Sequence, residues 1–193
     1  QGEDLLSIPE LNKGSAFTLE ERKRFGLLGK LPYAIESLDQ QLIRYHKQFT
    51  SYETDIEKNL FLNQLKQHNV TIFYQLTAKY LDEMMPIIYT PTIGDAVEQF
   101  SYQFNQPVGL FLSYEYQDHL EDILDQVNVK DVDIVLVTDG EGVLGIGDWG
   151  TGGIDICIGK LMVYTLCGGI DPDRVLPIQL DVGTNTQSLI EDP

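Results

Sequence analysis

The sequence predicts an α/β fold, with a helical N-terminal part followed by a parallel α/β layer. Two observations carry this. In the first half, three Ser or Thr residues each stand three positions ahead of a Glu or Gln, and apolar residues at helical spacing follow at least two of them. In the second half, short β-branched runs alternate with helical stretches, the pattern of strands joined by crossover helices. The character changes near Pro107. The chain is therefore expected to divide into a mostly helical part over 1–106 and an α/β part over 107–193.

The elements follow in order. "TLEE" (Thr18, Glu21), "SLDQ" (Ser37, Gln40) and "TDIE" (Thr54, Glu57) have capping-box spacing and predict three helix starts. After Ser37 apolar residues recur at Leu38, Leu42, Ile43, Tyr45 and Phe49; after Thr54 they recur at Ile56, Leu60, Phe61 and Leu65. A further helix is expected from Val70 to Met84, closed by Pro86, with Thr92 capping the next. "GLFLSY" (109–114) reads as a strand and "HLEDILDQV" as a helix. "DIVLVTD" (133–139) reads as a buried strand. A Gly-rich loop, a long apolar helix and a last strand, "RVLPIQLD" (174–181), complete the layer. Nothing in the closing "SLIEDP" ends an element cleanly, so a longer parent protein is expected.

Charge narrows the function classes. Thirteen basic residues against 30 acidic ones leave a net charge of −17, a field that repels nucleic acid and anionic membrane surfaces. No apolar run reaches the length of a membrane span, and "QGEDLLSIPE" lacks the features of a signal peptide, so a cytoplasmic protein is expected. Cys157 and Cys167, ten residues apart on a helix, would lie ~15 Å apart and are expected as free thiols. His46, His68 and His119 match no ligand spacing and read as surface or capping residues. Asp118, Glu121, Asp122 and Asp125 read as a solvated helix face, and Asp181 as either a strand-end ligand contact or part of a turn.

"GVLGIGDWGTGG" contains Gly145-x-Gly147-x-x-Gly150 between a predicted strand and a predicted helix, the setting of a dinucleotide phosphate loop. Three features oppose that reading. The strand ends at Asp139, six residues before the first glycine, so the turn is too long for a tight βα corner; Asp148 puts a carboxylate inside the loop, where it would repel phosphate; and Asp171, at the expected distance, precedes the next strand instead of ending it. The glycines fit better a loop whose backbone approaches something else closely, a small ligand or a neighbouring chain.

Two residues stand out chemically. Lys160 is the one charged side chain between Ile156 and Ile170. A lysine held in an apolar segment becomes a candidate general base or Schiff-base nucleophile. Equally, it could snorkel to the helix surface or pair with Asp155. Gly159 beside it permits close approach to that face. Tyr89 lies between Pro86 and Pro91, on backbone stiffened by two fixed φ angles. Such a phenol can serve as an acid or hydrogen donor, or simply be a packed aromatic with its hydroxyl satisfied.

The blocks "LNKGSAFT" (11–18), "LDEMMPIIYTPTIGDAVEQFS" (81–101), "VTDGEGVLGIGDWG" (137–150), "IGKLMVYTLCGGIDP" (158–172) and "LPIQLDVGTN" (176–185) resemble the malic enzymes, the bacterial NAD-dependent ones most. The resemblance runs from about Leu11 to Pro193 and implies the N-terminal third of such an enzyme. The fold implied is the malic enzyme N-terminal domain. The family oxidatively decarboxylates L-malate to pyruvate and CO2 with NAD(P)+ and Mg2+ or Mn2+. Its metal-binding carboxylates and its dinucleotide domain would lie beyond residue 193, so this chain alone is expected to be inactive.

By the resemblance, Lys160 takes the proton from the malate C2 hydroxyl and Tyr89 protonates C3 of the enolpyruvate. Leu144 lines the substrate pocket. Gly142 stands where the typical malic enzyme has an arginine that contacts a substrate carboxylate. In that departure, and in "LGIGDWG", the chain resembles malolactic enzymes, which convert malate to lactate and CO2, while "YTPTIGDA" is closer to the malic enzymes proper. The resemblance also implies a homodimer or homotetramer with contacts in the helical part, and, for this chain by itself, a purely structural assembly role is a further alternative.

Overall fold

The structure is a computed structural model and describes residues 2–104, 106–127, 131–143 and 145–192. The chain forms two compact units, Gln1–Met85 and Pro86–Pro193. The helical start and the parallel layer are those the sequence predicts.

The first unit holds α1 (Glu3–Ser7), α2 (Leu19–Phe25), α3 (Leu38–Phe49), α4 (Asp55–His68), α5 (Val70–Lys79) and the start of α6 (Leu81–Ile88). All three capping boxes form. Glu21 N–H donates to the Thr18 hydroxyl at 3.2 Å while Thr18 N–H donates back to the Glu21 carboxylate at 2.9 Å, and Ser37–Gln40 and Thr54–Glu57 repeat the exchange. Each box satisfies two backbone donors that a helix start leaves free. Leu27, Leu42, Phe49, Leu62, Phe73 and Leu76 are buried. Arg22, 4% exposed, joins them. Its guanidinium donates to the carbonyls of Phe17 (2.8 Å), Pro32 (2.6 Å), Ser15 (2.9 Å) and Ala34 (3.2 Å), which fixes the loop after α2.

The helix expected over Val70–Met84 is two helices. It breaks at Tyr80, where φ −118° and ψ 43° leave the helical region. Pro86 lies inside α6 and does not close it. A proline removes one N–H and crowds the carbonyl four residues back, but only Ile87 and Ile88 follow, so α6 carries the defect in its last turn.

The second unit contains α7 (Thr92–Glu98), α8 (Phe100–Gln103), β1 (Leu110–Ser113), α9 (Leu120–Asp125), β2 (Ile134–Thr138), α10 (Ile154–Gly168), β3 (Val175–Asp181) and α11 (Gln187–Ile190). Thr92 does not cap α7. It is the first helical residue, with its side chain buried, and Pro91 holds the cap position without a side-chain bond. The sheet order is β1-β3-β2, all parallel, with Leu110 opposite Ile178 and Val137 opposite Ile178 on the other side. β3 is central yet carries Pro177, which has no ladder donor. Pairing with β1 begins one residue later, so the proline sits where β3 has a ladder with β2 alone. α10 packs on β2, β3 and α7, burying Ile154, Cys157, Leu161 and Met162. Cys157 and Cys167 are both free thiols on α10, the first buried and the second exposed.

Candidate active site

Helix α10 and the corner between α6 and α7 bring the two singled-out residues to one place. Gly159 is buried in the middle of α10. A Cβ there would lie 3.0 Å from Cδ2 of Tyr89, 3.1 Å from the Ile88 carbonyl oxygen and 3.3 Å from Cδ1 of Ile93. The Tyr89 ring therefore rests against the bare backbone of α10, at the residue that precedes Lys160. Both Tyr89 and Lys160 are half-buried. The Tyr89 ring and the backbone of Lys160 thus lie at the same turn of α10.

No hydrogen bond or ion pair holds the Lys160 ammonium among the described residues. The Asp155 pairing left open by the sequence does not form, since five helical residues set two side chains about 140° apart around the axis. The nearest charge effect of Lys160 falls on Cys157, one turn back. Burial pushes that thiol up from its ordinary pKa, and the ammonium pulls it partly down again. Lys160 is thus half-buried with no carboxylate paired to it among the described residues.

Asp155 is the residue that sequence reasoning weighed only as a partner. It lies on the same side of α10 as Gly159, one turn earlier, and three residues after Gly152. A Cβ at Gly152 would lie 3.0 Å from the Val97 carbonyl oxygen and 3.1 Å from Cβ of Phe100. Asp155 lies half-buried near these close contacts, and burial alone pushes its carboxyl up to about 7. Its position in the first helical turn reads in sequence as an ordinary dipole-facing acid, which hid it.

The Gly-rich loop is built by its own contacts. Gly140, with φ 74°, lets the backbone at the end of β2 touch the Gly150 carbonyl, where any side chain would collide. Val143 and Gly147 pair across the loop. The Asp148 carboxylate accepts from Gly150 N–H at 3.1 Å and from the Thr184 hydroxyl at 2.7 Å. The acid that argued against a phosphate cradle in the sequence is thus a tie to the turn after β3. Beside it a cleft of about 230 Å³ is lined by Phe100, Trp149, Thr151, Asp181, Thr184 and Asp192, among others. It opens at the carboxyl end of β3, the side of a parallel sheet where ligands bind, and Asp181 meets it from the strand end.

Comparison with known proteins follows the same residues. Residues 66–193 match the family described as "Malic enzyme, N-terminal domain". The chain belongs to the malic enzyme family. It is 50% identical to NAD-dependent malic enzyme 2 of Vibrio vulnificus (strain YJ016), 51% to the NAD-dependent malic enzyme of Idiomarina loihiensis, and 48% to that of Escherichia coli O1:K1 / APEC. In each case the whole of this chain is covered, against 34% of the relative. This malic enzyme chain therefore spans about a third of the length of those relatives.

Within the malic enzyme chain the remaining candidates fall as follows. Gly142 is exposed, and a Cβ there would meet nothing within 4 Å. Packing does not require glycine at the position where the typical family member has arginine. Leu144 lies outside the described residues. His46 is engaged, stacked on Tyr80 at 3.8 Å between ring centroids and 2.8 Å from the Glu83 carboxylate. His119 precedes α9, and Asp118, Glu121, Asp122 and Asp125 lie exposed around it.

Proposed function

We propose that this chain is the N-terminal portion of an NAD-dependent malic enzyme that oxidatively decarboxylates L-malate to pyruvate and CO2. The single observation that carries the reading is the Tyr89 ring packed on Gly159, next to the unpaired Lys160. In this reading Lys160, acting as its neutral amine, accepts the proton of the malate C2 hydroxyl as C2 is oxidised and hydride leaves to NAD. Once CO2 has left C3, the Tyr89 hydroxyl donates a proton to that carbon. The two groups are needed in sequence on adjacent carbons; Tyr89 comes from the corner between α6 and α7 and Lys160 from α10. Half-burial serves each, because proton transfer is directed best where water competes little.

The relatives' names state NAD dependence, and NAD is taken as the oxidant here. Among the described residues no three His, Cys, Asp or Glu side chains gather as a cation site. The carboxylates for Mg2+ or Mn2+, and the dinucleotide domain, are assigned to the part of the longer protein outside this chain, and no step above runs through either. Exposed apolar side chains on the first unit, Leu11, Leu28, Tyr33 and Ile43 among them, support contacts of that unit in a homodimer or homotetramer. Among the described residues no helix is long and apolar enough to cross a membrane, and the cytoplasm is the proposed compartment.

A second reading, malolactic decarboxylation, is favoured by Gly142. An arginine there would have open space, yet the bidentate carboxylate clamp is given up. The test is product analysis with the full-length enzyme. Pyruvate with stoichiometric NADH supports oxidative decarboxylation, and lactate without net NADH supports the second reading. In the same assay Lys160→Ala is expected to lower turnover by at least ~100-fold with the fold intact. Near-normal turnover of that variant would overturn the assignment of the base.

A further inference from the structure

α10 carries two glycines before its cap, and they differ. Gly168 has room around it, with its nearest neighbour 3.9 Å from a hypothetical Cβ, whereas Gly159 is enclosed by Tyr89, Ile88 and Ile93. Neither has a positive φ, so the backbone at Gly159 would accept alanine. A glycine in a helix interior is unfavourable relative to alanine. What Gly159 provides is the missing side chain. One of the three atoms a Cβ would meet is a backbone carbonyl, at 3.1 Å, which cannot rotate away. The phenol ring, at 3.0 Å, would have to give instead.

We propose that Gly159 is the positioning residue for Tyr89: its bare backbone sets the depth at which the ring seats on α10, and so the separation between the phenol and Lys160. The inference rests on the roles proposed above for those two residues. Its geometric half, that Gly159 seats the ring, stands on the contacts alone. A Cβ at position 159 would make the ring give by a few tenths of an ångström, and proton transfer to carbon depends steeply on placement, a displacement of about 1 Å costing on the order of 100-fold in rate. Position 159 carries no side chain to offer substrate. It acts through the ring.

Two measurements test this separately. In the full-length enzyme with ring-labelled tyrosine, the Tyr89 resonance is identified by its loss in Tyr89→Phe. Gly159→Ala is expected to shift that resonance, and Gly168→Ala to leave it in place. An unmoved Tyr89 resonance in Gly159→Ala overturns the proposal whatever the enzyme's reaction is. The second measurement is a double-mutant cycle on turnover. Gly159→Ala is expected to lower kcat for malate about fivefold while KM changes less than twofold, and to change kcat less than twofold when Tyr89 is already Phe. An equal drop in both backgrounds overturns positioning through the hydroxyl. If Tyr89→Phe alone retains full turnover, the role of Tyr89 fails, and the resonance shift still decides the geometric half. Should Gly159→Ala fold poorly, the Gly159→Ala/Ile93→Val pair makes room on the third side and keeps the ring contact, with the same outcomes expected.

Discussion

The Asp148 carboxylate accepts a 2.7 Å hydrogen bond from the Thr184 hydroxyl, 36 residues further along the chain. The same oxygen accepts the Asn185 N–H at 3.0 Å, and the Thr186 hydroxyl donates to the Asp148 carbonyl at 3.2 Å. The loop after β2 and the loop after β3 are tied together at the mouth of the cleft. These bonds, that from Thr184 first, hold the Asp148 carboxyl below its usual range.

Asp148→Asn is expected to destabilise the fold by about 1 kcal/mol at neutral pH, because a charged acceptor is replaced by a weaker one at a partly solvated site. The sign with pH is fixed by the lowered pKa. The contribution is present above the unfolded value near 4 and disappears as pH falls through the folded value. Urea midpoints of wild type and variant should therefore converge in acid. A difference that grows below pH 4 would exclude the tie as described.

Arg22 is buried with its donors on backbone carbonyls instead of a carboxylate. Lysine offers three donors on a point charge and cannot span carbonyls set around a planar fork. Arg22→Lys is expected to cost about 3 kcal/mol, read from urea or thermal unfolding of the purified chain. A loss under about 0.5 kcal/mol would mean that the loop from Leu27 to Glu36 holds its shape without the guanidinium.

Tyr89→Phe keeps the ring on Gly159 and removes only the hydroxyl, so the fold should be unaffected. On the proposed acid role, turnover of malate falls on the order of 100-fold. Reduction of oxaloacetate or pyruvate, which does not require protonation of C3, falls much less. Equal losses in both partial reactions would count against a proton donor at that carbon.

The local features of this fold could be read from sequence, and the tertiary ones could not. Thr18, Ser37 and Thr54 announce their helices because a capping box closes within four residues. β2 stands out as a β-branched run, and β1 and β3 as short apolar runs. The break at Tyr80 has no glycine or proline to mark it, and Pro86, the conspicuous breaker, is tolerated near a helix end. The order β1-β3-β2 depends on pairing between residues 68 apart (Leu110 with Ile178) and 41 apart (Val137 with Ile178), and the Thr184 and Asn185 partners of Asp148 lie far downstream. The same division runs through the site. Lys160 and Tyr89 are conspicuous by local context, a lone charge in an apolar run and a phenol between prolines. That they meet one helical turn is a matter of packing at Gly159. Asp155 escaped notice because burial, not sequence context, is what makes it unusual.

Asp155 gives the clearest dependence on pH. Its carboxyl is pushed up to about 7 by burial, against an unfolded value near 4. A raised folded pKa means that the native chain holds a proton the unfolded chain has released. The native state is thus not penalised below about pH 4, loses ground as pH rises, and reaches its full penalty above pH 7, on the order of 4 kcal/mol. Asparagine has nearly the shape of the protonated acid and cannot ionise. Asp155→Asn should therefore unfold at higher urea than wild type at pH 8, with the gain shrinking toward zero at pH 4. Measured in the purified chain, a gain that is independent of pH would place the Asp155 carboxyl in water.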